Sequence, residues 1–210
     1  AGEHPSAALR DRGVEYIEVR IMDLDPFTSI GMDKDTLYFL DTYLVYCMLR
    51  GDEKFTAEEC EALRSMQQEA VTQGRDLEKS INFLEGAFSI KVQANKLLSD
   101  IMSVASTLAE LTGNQAYINA VQLQMDKIAN KELLPSAKIA QLSEQEGSYA
   151  KAMLALAEQH QLDWQAQELD HNIAKAFSNE TKDSLLRQKH IEESDDMSFE
   201  VFLAEYLTPQ

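Results

Sequence analysis

Cysteine is scarce in this chain: Cys47 and Cys60 are the only two in 210 residues. Two isolated thiols cannot build a disulfide framework, and they form no Cys-x-x-Cys pair. Cys47 lies in the apolar run Tyr43–Leu49 and reads as a small buried hydrophobe. Cys60 lies in a Glu-rich helix start, where neighbouring carboxylates disfavour a thiolate. A catalytic cysteine is not expected, and a reducing, cytoplasmic location fits. Basic residues are also few, with 19 Lys and Arg against 36 Asp and Glu and a formal net charge of −17. That balance argues against nucleic acid and anionic membranes as partners, since both require a basic footprint. No run of about 18 apolar residues occurs, so no transmembrane helix is expected. The N-terminal stretch lacks the positive flank and apolar core of a secretory signal. It also lacks an initiator Met, so Ala1 reads as a processed or cleaved end with the natural protein beginning upstream. The four histidines, His4, His160, His171 and His190, are scattered without ligand spacing, which makes a zinc site improbable. No Gly-rich phosphate loop is present, neither a P-loop nor a dinucleotide fingerprint.

What is present is helical periodicity. At 44% hydrophobic the chain can support one sizeable core, burying roughly 70% of its unfolded surface. Pro5 and Ser6 open a short helix that ends at Gly13. Leu37, Phe39, Leu40, Tyr43, Leu44, Cys47 and Met48 make a broad apolar helix face, stopped by Gly51. Thr56 with Glu59 forms a capping box for a helix reaching about Gly74. Residues 81–90 have some strand character. Leu97, Leu98, Ile101, Val104, Ala105, Leu108 and Leu111 then give a clear stripe that ends at Gly113. Further helices are expected over 115–129, from Pro135, over Tyr149–Gln161, from Asn179, and from a Ser198 cap to about Leu207. Met102, Met125 and Met153 read as core filler, and Trp164 as a packing anchor beside Leu162 and Leu169.

One segment breaks the helical pattern. From Val14 to Met22 the period is two, with Ile17, Val19 and Ile21 on one face and Tyr16, Glu18 and Arg20 on the other. Pro26 and Gly31 then punctuate a loop. A lone strand must place its ladder hydrogen bonds somewhere, so the strand is expected to join an antiparallel sheet completed by upstream residues. The expected fold class is therefore mainly α, with one N-terminal β-strand followed by a helical array. Residues 1–32 would form an active-site strand and loop segment, and residues 33–210 a helical C-terminal region. Alternate strand residues project the same way roughly 7 Å apart. Glu18 so placed can offer oxygen ligands to Mg²⁺, and Arg20 a planar fork of donors to a phosphate. The same pattern also suits two side chains that face solvent or pair with each other.

The stretch SAALRDRGVEYIEVRIMDLDPFTSIGM, Ser6 to Met32, resembles the signature of glutamate–cysteine ligase of the gamma-proteobacterial type. The likeness continues through LYFLDTYLVYCMLRG, reappears at Pro135–Lys138 and extends to MSFEVFLAEY, so it covers nearly the whole chain. It is a likeness to the C-terminal part of a longer protein. It implies an ATP-dependent enzyme that joins the γ-carboxylate of L-glutamate to the amine of L-cysteine, the first step of glutathione biosynthesis. An acyl phosphate would form first and the amine would then attack it. It implies Mg²⁺ and ATP as cofactors, Glu18 as a metal ligand, and Arg20 as the catalytic contact to the transferred phosphate. The upstream part of the same protein would be needed to complete the site, so this chain alone is expected to be inactive. Two departures are Asp25, where the family often has Asn, and Lys138, where many relatives have Arg. The competing expectation is a helical scaffold or interaction module without a catalytic role.

Overall fold

The computed structural model describes residues 5–51, 54–84 and 86–207; His4 and the chain's first residue lie outside them. Its elements are helices α1 (Pro5–Arg12), α2 (Lys34–Leu49) and α3 (Ala57–Gln73), and a hairpin of β1 (Ser80–Phe83) and β2 (Gly86–Ser89). Helices α4 (Ile90–Thr112), α5 (Ala116–Ala129), α6 (Pro135–Glu146), α7 (Tyr149–Gln165), α8 (His171–Ser194) and α9 (Phe199–Leu207) follow. The expectation of a mainly helical chain holds. By internal packing the chain divides into two units, Asp23–Gln161 on one hand and Ala1–Met22 with Leu162–Gln210 on the other.

The core of the 23–161 unit is a three-helix junction. Leu98, Ile101 and Ala105 of α4 meet Val121 of α5, with Phe39 and Tyr46 of α2 packed against them. Tyr117, Ile118, Met125 and Ile128 close the α5 side, as their helical spacing predicts. Polar stitches fix how α2 and α5 meet. Tyr117 donates its hydroxyl to Asp41 at 3.1 Å, and Asn114 donates to the Tyr38 hydroxyl at 3.0 Å. The Tyr38 and Tyr117 rings pack edge to face at 5.0 Å. Helix starts follow their caps. Asp33 accepts from Thr36 N at 2.7 Å, and Thr56 with Glu59 closes the capping box at 3.2 and 2.7 Å.

The residues with strand character pair antiparallel, Ser80 opposite Ser89 and Phe83 opposite Gly86. Leu84 takes φ +52° at the tight connection, as two-residue hairpins require. Ser89 then ends β2 and caps α4 in one step, accepting from Val92 N at 3.4 Å.

The 1–22 and 162–210 unit is built differently. Helices α1, α8 and α9 bury none of their side chains. Asp170 caps α8 by accepting from Asn172 N and Ile173 N, and Ser198 caps α9 through Val201 N at 3.4 Å. Helix α8 starts at His171, earlier than the charged tail alone predicts, because this cap precedes it. Two expectations need correction here. Residues 13–25 form neither strand nor helix, since a strand exists only with a ladder partner and none of the described residues supplies one. Ile17, Val19 and Ile21 are accordingly exposed rather than buried. Trp164, Leu162 and Leu169 are also largely exposed, so Trp164 is no packing anchor within this chain.

Candidate functional site

The Glu18–Arg20 segment begins where α1 stops. Gly13 closes that helix with its N–H on the Leu9 carbonyl at 3.0 Å, and then turns the chain at φ +76°, a conformation suited to glycine. Beyond it the chain runs without regular structure to Asp25. Although no strand forms, the two chemistry-bearing side chains do converge. Arg20 donates from Nη2 to Glu18 Oε2 at 2.7 Å. Half of the Glu18 side-chain surface and most of the Arg20 side-chain surface face solvent. An exposed ion pair of this kind contributes about 0–1 kcal/mol to stability. Glu18 and Tyr16 also line a hollow of about 390 Å³, whose other wall is α1 with Pro5, Leu9 and Arg12.

The loop that follows is tightly made. Asp25 N donates to Gly31 O at 2.8 Å, Thr28 N to Asp25 O at 3.2 Å, and Gly31 N to Thr28 O at 3.2 Å. The Asp25 carboxylate accepts from Phe27 N at 2.9 Å. Gly31 takes φ +77°, a conformation suited to glycine; a Cβ there would also meet Leu24 Cδ2 at 2.8 Å, the tip of an exposed side chain that can move aside. The carboxylate of Asp25, the departure noted in the sequence, thus has a local role as a turn former.

The described residues contain no group of three or more His, Cys, Asp or Glu side chains close enough to hold a metal ion. Glu18 can supply carboxylate oxygens to a hard cation, and Arg20 a guanidinium to a phosphate. Among the described residues, Glu18 and Arg20 are a donor pair that could contribute to a metal–phosphate site but not make up a three-ligand metal cluster. The three described histidines do not gather; His160 bonds the Pro26 carbonyl instead. No helix among the described residues is long and apolar enough to cross a membrane.

Cys47 is exposed, contrary to its expected burial. It follows Tyr46, which packs on the core, and one residue's rotation about α2 carries it off that face. There it borders a cleft of about 970 Å³ with Tyr43, Arg50, Phe88 and Lys96. Sequence reasoning missed this cleft because α2, α3, the hairpin and α4 all contribute to it, and no local pattern announces such a meeting.

Comparison with known proteins now bears on the whole chain. The family model described as Glutamate-cysteine ligase matches residues 1–70. A glutamate–cysteine ligase from Saccharophagus degradans is 34% identical over 207 residues, covering 98% of this chain and 39% of that protein. One from Azotobacter vinelandii is 32% identical over 207 residues, with the same coverage of each. A crystal structure of glutamate–cysteine ligase from Francisella tularensis in complex with AMP matches with a TM-score of 0.87 and 28% identity, over 98% of this chain and 40% of that one. The chain therefore spans about two-fifths of the length of the relatives it matches.

Proposed function

The chain belongs to the glutamate–cysteine ligase family, and from that premise we propose that it is the C-terminal part of an ATP-dependent ligase joining the γ-carboxylate of L-glutamate to the amine of L-cysteine. The observation that carries the reading is the agreement of sequence and fold along 98% of the chain with proteins of that name. The AMP bound by the Francisella relative supports a nucleotide as co-substrate.

Residues 1–32 are the active-site segment in this reading, and residues 33–210 the helical region that carries it. ATP supplies the phosphoryl group that activates the carboxylate. Glu18 would hold one Mg²⁺ through its carboxylate oxygens. Arg20 aims its fork at the phosphoryl oxygens and stabilises the charge they gain in transfer. The 2.7 Å pair between them sets the guanidinium beside the carboxylate that would hold the metal. The remaining ligands come from the upstream part of the same protein, which also supplies ladder partners for Val14–Met22. The two free cysteines are compatible with a cytoplasmic setting.

A coupled ADP-release assay with L-glutamate, L-cysteine and Mg²⁺ tests the proposal. The full-length protein should turn over only with both amino acids present, and the 210-residue chain alone should not. A silent full-length protein would overturn the ligase reading. Turnover by this chain alone would overturn the idea of a shared site.

A further inference from the structure

The cleft of about 970 Å³ beside Arg50 lies wholly within the 23–161 unit. Tyr43, Tyr46 and Arg50 border it from α2, and Lys96 and Asp100 from α4. Each set recurs at helical spacing and so shares one side of its helix. The α2 side is aromatic. The Tyr43 and Tyr46 rings stack with centroids 6.5 Å apart and planes 25° off parallel, and Phe55 stands 66% exposed on the same cleft. Charge sets the cleft apart from the rest of the chain. Its described lining residues include two cations, Arg50 and Lys96, against one acid, Asp100, in a protein of net charge −17. Although acids outnumber bases 36 to 19, neither Arg50 nor Lys96 forms an ion pair with a carboxylate among the described residues. Arg50 gives an N–H to the Tyr46 hydroxyl at 3.2 Å and sets its guanidinium carbon 5.9 Å from that ring's centre. Its other N–H donors are left over.

We propose that this cleft binds an aromatic carboxylate, with Tyr46 and Phe55 taking the flat apolar body and Arg50 with Lys96 taking the carboxylate. A guanidinium fork matches a carboxylate in geometry as well as charge. Ring faces take a flat apolar body at little entropic cost, because an aromatic side chain has few rotatable bonds. The cleft's volume is that of a small-molecule site. None of its lining residues belongs to the 1–32 segment, and the proposal does not rest on the ligase reading.

The probe is 2-naphthoate, with 2-naphthamide as its neutral counterpart, each titrated by calorimetry into the full-length protein. Naphthoate should bind about tenfold more tightly than naphthamide, the scale of one charge-assisted hydrogen bond. Arg50→Gln and Lys96→Gln should each weaken naphthoate about fivefold, and leave naphthamide within about twofold of the parent. Asp100→Asn removes a like charge and should tighten naphthoate about twofold, a gain that a damaged fold would not give. The exposed thiols report the place. Cys47 borders the cleft, whereas Cys60, also exposed, is not among its lining residues. Saturating naphthoate should slow iodoacetamide alkylation of Cys47 and leave that of Cys60 unchanged, as read by peptide mass spectrometry. Equal affinity for the acid and the amide, or for the parent and both Gln variants, would overturn the proposal. So would equal protection of the two thiols, or of neither. A Cys47 thiol already unreactive without naphthoate would show the cleft covered by another part of the protein, and would overturn it too.

Discussion

Ile101 and Ile21 carry the same side chain in opposite circumstances. Ile101 is 0% exposed at the junction of α2, α4 and α5, whereas Ile21 is 84% exposed in a segment with no regular structure. In the sequence both sit in a clear periodic pattern, one the helical repeat and the other the alternation of a strand, but only the first is realised in the structure. The difference lies in where the partners are. A helix completes its backbone hydrogen bonds within itself and needs only a face to pack on, and the chain supplies that face. A strand needs another strand for every N–H and C=O it presents.

The comparison breaks most visibly at the core. Ile101→Ala should cost about 2–5 kcal/mol by urea denaturation, the range for large-to-small changes at sites that cannot collapse. A cost below about 1 kcal/mol would mean that the junction repacks freely and is no better defined than the exposed segment.

Next in size is the exposed pair, whose effect should appear in rate and not in stability. If the proposed ligase reading holds, Arg20→Lys in the full-length protein should lower kcat about 10²–10³-fold, because Lys lacks the planar fork. Glu18→Gln should weaken metal binding, so excess Mg²⁺ should partly restore the rate. A Mg²⁺ titration of steady-state activity for both variants beside the parent checks this. Near-parental rates would leave Glu18 and Arg20 as an ordinary surface ion pair, worth at most ~1 kcal/mol of stability.

A smaller effect should come from the cap of α2. Asp33→Ala should cost about 1 kcal/mol in thermal or urea unfolding. The hydrogen bond from Thr36 N holds the Asp33 carboxyl below the usual carboxylate range. A pKa lowered on folding adds stability above the unfolded pKa, and this is lost as pH falls through the folded one. The parent should therefore lose its advantage over Asp33→Ala only below about pH 4, the ordinary Asp value. An advantage that instead vanished near neutral pH would rule out this carboxylate as the source.

The smallest change should be Ile21→Ala in the 210-residue chain, within about 0.5 kcal/mol of the parent as for an exposed site. In the full-length protein the same substitution should cost more, if Val14–Met22 gains ladder partners there. Equal, negligible costs in both would mean that this segment never becomes a strand, and the contrast with Ile101 would be permanent rather than a matter of missing partners.

Most helices were legible residue by residue. The Thr56–Glu59 capping box, the glycine stops at Gly13 and Gly113, the Ser198 cap and the inward stripe of α5 all appear where spacing places them. Each is a short-range effect, written within one or two helical turns. The convergence of Glu18 and Arg20 was legible for a similar reason, since two residues separated by one position in an extended chain share a side. Illegible were the exposure of Cys47 and Trp164, the Tyr117–Asp41 and Asn114–Tyr38 stitches, the cleft beside Arg50, and the bond from His160 to Pro26.

The amino-acid sequence by itself determined where most helices start and stop, which face of α4 and α5 turns inward, and which two side chains present a carboxylate and a guanidinium together. Those outcomes depend on hydrogen bonds and rotations that span a few residues. Only the tertiary structure decided which helix met which, that the Asp25–Gly31 loop would be held from α7, and that Val14–Met22 would find no strand partner among the described residues. Such outcomes depend on surfaces brought together from distant parts of the chain, and no local pattern specifies a partner that it does not contain.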